Sequence, residues 1–219
     1  MNIEISKTKS AVVVFEGFAV FLIIHSIGGY YFAQKLSAIY PDVPCLIVSI
    51  ASSSAISPVI AILYLSLRLK FVPGFALNKK IFLYAIVGII LAWIVIFIKI
   101  LFIGKESLFS QEILKTPYPY YYFMLFFVLV WGPILEETLT RGYFFEILRR
   151  QWGEVVALFI SSFLFLVPHA IWGTIGVELF FILLYSIIFT LTYMQGGLIA
   201  SILVHAFVNF YLFYLNIDI

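Results

Sequence analysis

Apolar runs of about 20 residues, the length that carries a helix across the hydrocarbon core of a bilayer, recur along almost the whole chain. Seven are readable, near residues 11–33, 43–67, 81–103, 118–145, 155–172, 177–194 and 197–215. In lipid every backbone N–H and C=O must be paired within the protein, so such runs are expected to be helical. With 11% charged and 64% hydrophobic residues, the chain has too few charges to wet a soluble surface, where about 25% is usual. The expectation is an all-α, polytopic membrane helix bundle forming a single membrane domain over residues 1–219, with about seven spans. Gly132-Pro133 is expected to break or kink the fourth run, because proline lacks an N–H and clashes with the preceding turn. Six spans plus a broken or re-entrant helix is therefore the alternative.

Smaller signals bound the chain further. A net charge of +2, with no basic arm, does not suit nucleic acid. Cys45 is the sole cysteine, which excludes a disulfide framework or a cysteine-built metal site. The first run follows Lys7 and Lys9 as a signal peptide would. It continues to about residue 33 without a small-residue cleavage site, so it reads as a retained span. There is no internal repeat.

Loop charges set an expected orientation. With a cytoplasmic N-terminus, the inner segments hold Lys7, Lys9, Arg68, Lys70, Lys79, Lys80, Arg141, Arg149 and Arg150, against Lys35, Lys99, Lys105 and Lys115 outside. Nine against four favours this orientation by the positive-inside rule. Tyr118-Pro119-Tyr120-Tyr121-Tyr122 then falls in the outer aromatic belt. Ser49, Ser53 and Ser57 recur every four residues and read as a close-packing face between helices.

Charges inside a span are costly, about 2.5–3.5 kcal/mol each at the helix centre on insertion scales, and mark function by default. Glu136-Glu137-Thr138-Leu139-Thr140-Arg141 directly follows the apolar run 123–135. Glu137 and Arg141 are four apart with the acid first, the favourable order for an intrahelical ion pair. Glu136 is rotated by about 100° from Glu137 and has no local partner. Such a carboxylate suits a general base.

Two of the chain's three histidines also lie deep in spans. His169 is in the fifth and His205 in the seventh, four residues before Asn209 and so on one helical face with it. At 1.5 Å per residue, Glu136 and His169 lie roughly 20 Å, and His205 roughly 12 Å, from the cytoplasmic ends of their helices. These depths allow the three to meet. His25 belongs to no such set and reads as a packing or helix–helix hydrogen-bonding residue. Glu16 does not pair with it, being about two and a half turns away.

Glu136-Glu137-x-x-x-Arg141, Phe165-x-x-x-His169 and His205-x-x-x-Asn209, in that order, resemble the motif set of the CPBP family. This is the CAAX-protease and bacteriocin-processing family, also called Abi, and the resemblance covers roughly residues 118–215 as the catalytic core. It implies a helical membrane fold with a polar cavity open to the cytoplasm. It implies that Glu136 is the general base acting with His169 on a water molecule. His205 and Asn209 match the positions that bind the developing oxyanion, and Glu137 and Arg141 those of a supporting buried pair.

The chemistry of amide hydrolysis agrees with these types, since it needs an activated water and donors aimed at a tetrahedral oxyanion. The set lacks the His-Glu-x-x-His spacing of a zincin. No cofactor is expected, because the Asn209 position is a poor zinc ligand and a good oxyanion donor; zinc on Glu136, His169 and His205 is the alternative, and the family has long carried the name metalloprotease. A hydrophobic, prenylated, leader or pheromone peptide at the membrane is the implied substrate. Two competing readings are a non-catalytic bacteriocin immunity or membrane scaffold protein, and a small transporter with Glu136 as proton relay. The absence of repeat symmetry counts against the last. Small-residue faces permit a dimer without requiring one.

Overall fold

The fold is that of a computed structural model describing residues 7–28, 31, 34–35, 38–39, 45–77, 79–103, 120–171 and 174–214. All regular structure among the described residues is helical: α1 (Lys7–Ile23, continued by a π-turn at Ile24–Gly28), α2 (Cys45–Leu69), α3 (Ile81–Ile103), α4 (120–152), α5 (Glu154–Ile171), α6 (Val177–Gly196) and α7 (Leu198–Tyr214). The seven helices coincide with the seven expected spans. Lys105, Lys115, Tyr118 and Pro119, and the side chains of Lys7, Lys9, Ser49 and Ser53, lie outside the described residues.

The polarity of the bundle is that of a protein in lipid. Large apolar side chains such as Phe82, Leu83, Ile86, Ile90, Phe97 and Phe102 of α3 face outward, while Glu137, Arg141, Ser186, Thr190 and Ser201 are buried. Water would favour the reverse. α3, α5 and α6 are each long and apolar enough to cross a membrane. The chain is a multi-pass membrane protein.

The fourth run departs from expectation in a specific way. It does not break at Gly132-Pro133 but stays helical throughout, as Tyr120–Phe126, a π-segment Phe127–Trp131, an α-segment Gly132–Glu137, a second π-segment Thr138–Phe145, and Glu146–Trp152. The Gly132 N–H reaches back to the Phe127 carbonyl, five residues away. Pro133 thus sits in the first turn of the next α-segment, where a missing N–H is tolerated.

Two one-residue corners fold the second half of the chain. Gly153 (φ 82°) separates α4 from α5 and Gly197 (φ 81°) separates α6 from α7. These are left-handed conformations that cost a side chain energy but glycine little. Each corner places residues equidistant from it side by side. Phe189 and His205 are eight residues either side of Gly197, and their rings stack with centroids 4.6 Å apart. Glu136 and His169 are 17 and 16 residues from Gly153, which brings them to similar depth.

The first half buttresses this core. α1 and α2 pack together, with the His25 ring 3.1 Å from the Ser57 hydroxyl, the helix–helix hydrogen bond expected of His25. Glu16 accepts from Tyr64 at 2.8 Å and pairs with Arg68, so it serves the α1–α2 contact. The segment after α2 crosses α4. The Tyr143 hydroxyl donates to the Phe71 carbonyl and lies 2.6 Å from Ser66, and Gly142 fits against the Pro73 ring with no room for a side chain. Lys99, counted above as an outer-loop cation, is instead buried in α3 and paired with Glu178 of α6 at 3.3 Å. Arg141, counted as an inner one, is fully buried. Neither therefore acts as a loop charge.

Candidate active site

A guanidinium inside a membrane bundle must have every donor occupied, because an unpaired buried charge costs several kcal/mol. Arg141 meets this condition. Nη1 donates to Glu137 Oε1 at 2.9 Å and to Thr140 Oγ1 at 2.7 Å. Nη2 donates to the carbonyl and the hydroxyl of Ser186, each at 2.7 Å, and Nε donates to Thr190 at 3.3 Å. The ring faces of Phe165 and Phe189 lie 4.9 and 5.5 Å from its central carbon, a favourable seat for a cation. Arg141 thereby ties α4 to α5 and α6.

Glu137 is equally committed. Besides Arg141, its Oε1 accepts from His205 Nδ1 at 2.8 Å, and its Oε2 accepts from the Ser201 hydroxyl. A carboxylate held by a guanidinium only accepts, so the hydrogen of the His205 bond sits on Nδ1. That leaves Nε2 as the atom able to gain or lose a proton. It faces Glu136 Oε2 at 3.8 Å, too far for a hydrogen bond.

Glu136 differs from its neighbour in both respects. Its side chain is 28% exposed, against 0% for Glu137, and among the described residues its carboxylate accepts no hydrogen bond from the protein. Only its backbone carbonyl is engaged, by Thr140. The two adjacent acids therefore have separate environments: one consumed in a buried network, one partly exposed and unbonded.

His169 is half-buried near the end of α5. Its Nδ1 lies 2.9 Å from the Phe165 carbonyl. A carbonyl cannot donate, so Nδ1 carries the hydrogen and Nε2 presents a lone pair. His169 is within electrostatic reach of Glu136 and His205 but makes no direct ion pair with Glu136. Asn209 lies on the same face of α7 as His205, as its spacing requires, and its amide donates to the Val128 carbonyl at 2.9 Å.

All six residues singled out from the sequence thus lie at the junction of α4, α5 and α7. Glu137, Arg141 and His205 are directly linked, Glu136 faces His205 at 3.8 Å, and His169 and Asn209 flank them. The sequence reading missed Ser186, Thr190, Ser201 and the ring of Phe189. A weak signal existed, since Ser186 and Thr190, and Ser201 and His205, are each four apart on one helical face. As for a metal, among the described residues no three His, Cys, Asp or Glu side chains are grouped to hold an ion.

Compared with known proteins, residues 118–211 match the family model described as Type II CAAX prenyl endopeptidase Rce1-like. No curated protein and no solved structure matches the chain.

Proposed function

From the match of residues 118–211 to the family model described as Type II CAAX prenyl endopeptidase Rce1-like, we propose that this chain hydrolyses a peptide bond of a hydrophobic or lipidated peptide at or within the cytoplasmic half of the membrane. The substrate is a prenylated C-terminal peptide or a hydrophobic leader or pheromone precursor. Glu136 is the general base. It takes a proton from a water molecule whose oxygen attacks the scissile carbonyl carbon, and returns that proton to the leaving amine as the carbon–nitrogen bond breaks. His169, through its free Nε2, helps hold and polarise the water. Asn209, and His205 when it also carries a proton on Nε2, donate to the oxyanion that forms, and Glu137 with Arg141 holds His205 in place.

The observation that carries this reading is the contrast between the adjacent acids: Glu136 is partly exposed and unbonded, 3.8 Å from His205 Nε2, while Glu137 is wholly occupied. Activation of water by the carboxylate without a metal is part of the proposal, supported by the poor suitability of an amide such as Asn209 as a zinc ligand. The cavity opens to the cytoplasm, with the N-terminus on that side. With Lys99 and Arg141 set aside as buried, the inner loops still carry the excess of Lys and Arg.

The test is peptidase activity of the detergent-purified protein on a panel of fluorogenic membrane peptides, with Glu136→Gln and His169→Ala alongside and a chelator arm. Cleavage that disappears in both variants, with unchanged folding, and survives the chelator supports the reading in full. Full activity of Glu136→Gln overturns the site assignment. Loss with chelator overturns the metal-free mechanism. A well-folded parent inactive on every peptide favours a non-catalytic immunity or scaffold protein.

A further inference from the structure

The Val128 carbonyl is left without a backbone partner by the local geometry of α4. In an α-helix it would accept from the Gly132 N–H, but that group is turned to Phe127. In a continued π-helix it would accept from residue 133, which is proline and has no N–H. A carbonyl so placed inside a bilayer protein needs another donor. The structure supplies one from a different helix: Asn209 Nδ2, at 2.9 Å.

We propose that Val128 and Pro133 are positioning residues for Asn209. Pro133 removes the backbone donor, and the freed Val128 carbonyl clamps one amide hydrogen of Asn209. The second hydrogen is then held in a fixed direction as the one donor the side chain has left. The catalytic part of this inference rests on the endopeptidase reading above, in which that donor meets the oxyanion. The clamp does not rest on it. An amide has two donor hydrogens and free rotation about its side chain, so without the clamp the donor would have to be ordered anew in every turnover. Preorganised donors avoid that cost.

The sequence offers a direct handle. Pro133→Ala restores an N–H to a segment whose backbone is already helical, and so gives Val128 a backbone donor in competition with Asn209. The protein would be labelled with 15N at asparagine, of which there are only Asn2, Asn78, Asn209 and Asn216. Exchange of the side-chain amide hydrogens is then read by NMR in detergent, with Asn209→Asp identifying the signal. In the parent, one Asn209 hydrogen is expected to exchange at least about tenfold more slowly than the other, as a bonded and an unbonded donor would. In Pro133→Ala the two rates are expected to converge. On a cleaved peptide, kcat is expected to fall roughly tenfold with KM unchanged, because an oxyanion donor acts only in the transition state.

Equal exchange of the two hydrogens in the parent overturns the clamp, and needs no variant to fold. Released exchange in Pro133→Ala with full parental kcat overturns the positioning role. A parent that cleaves nothing speaks against the endopeptidase reading, while the exchange measurement still decides the clamp.

Discussion

Glu137 Oε1 stands 2.8 Å from His205 Nδ1 and 2.9 Å from Arg141 Nη1, so a single oxygen joins the seventh helix to the guanidinium that holds the fourth, fifth and sixth together. The second oxygen is taken by Ser201, one turn before His205. Removing Glu137 would therefore do two things together: strand a buried cation and release a histidine. Glu137→Ala is expected to destabilise the protein by about 3–5 kcal/mol, the usual consequence of breaking a buried pair from one side. Folded yield and thermal unfolding in detergent measure this. Adding Arg141→Met is expected to recover part of the loss, and a single variant as stable as the parent would remove the ion pair from the account.

Ser201 acts on the same carboxylate from the α7 side. Ser201→Ala leaves a buried acceptor short of one donor and is expected to cost about 1–3 kcal/mol. Activity is expected to fall less than in any Glu136 variant, since Ser201 touches neither Glu136 nor His169. Unfolding and initial rates on the same preparations separate the two effects.

Gly132 tests the π-segment. A Cβ there would lie 2.9 Å from the Phe127 carbonyl oxygen and 3.6 Å from Glu136 Oε1. The first is closer than real contacts allow, and the obstructing atom is backbone. Alanine gains about 1 kcal/mol of helix propensity over glycine, yet the crowding is expected to outweigh it. Gly132→Ala should thus unfold at lower temperature, by about 1–3 kcal/mol of overpacking. A stabilised variant would show that the wide turn yields easily.

Tyr143 ties the segment after α2 to α4 through Phe71 and Ser66. Tyr143→Phe keeps the ring and its edge-on contact with Phe71 but removes the hydroxyl. A loss of about 1 kcal/mol is expected, with faster proteolytic cutting within residues 70–77 than in the parent. Equal cutting would mean that Pro73 against Gly142 suffices to hold the segment.

What the sequence disclosed and what it hid follow from the range of the interactions. Span positions were legible because apolar length is a local property, and the Glu137–Arg141 pair because both residues lie on one helix four apart. The different fates of Glu136 and Glu137 were half legible: the 100° rotation separates them, but only packing shows which one meets α7. The continuity of α4 through Pro133 was not legible, because it depends on Gly132 reaching five residues back instead of four. Nor was Lys99 readable as a buried partner of Glu178, since the two are 79 residues apart. A cation near a helix end has the same sequence signature in either setting.

The Gly197 corner makes α6 and α7 behave as one cassette. Because Phe189 and His205 meet by equal count from the turn, inserting a single residue anywhere between them would rotate one helix by about 100° against the other. The imidazole would leave its carboxylate, and Ser201 would leave with it. Length variation is thus not tolerable within residues 186–209. A chimera that exchanges parts of this chain should transfer that hairpin whole.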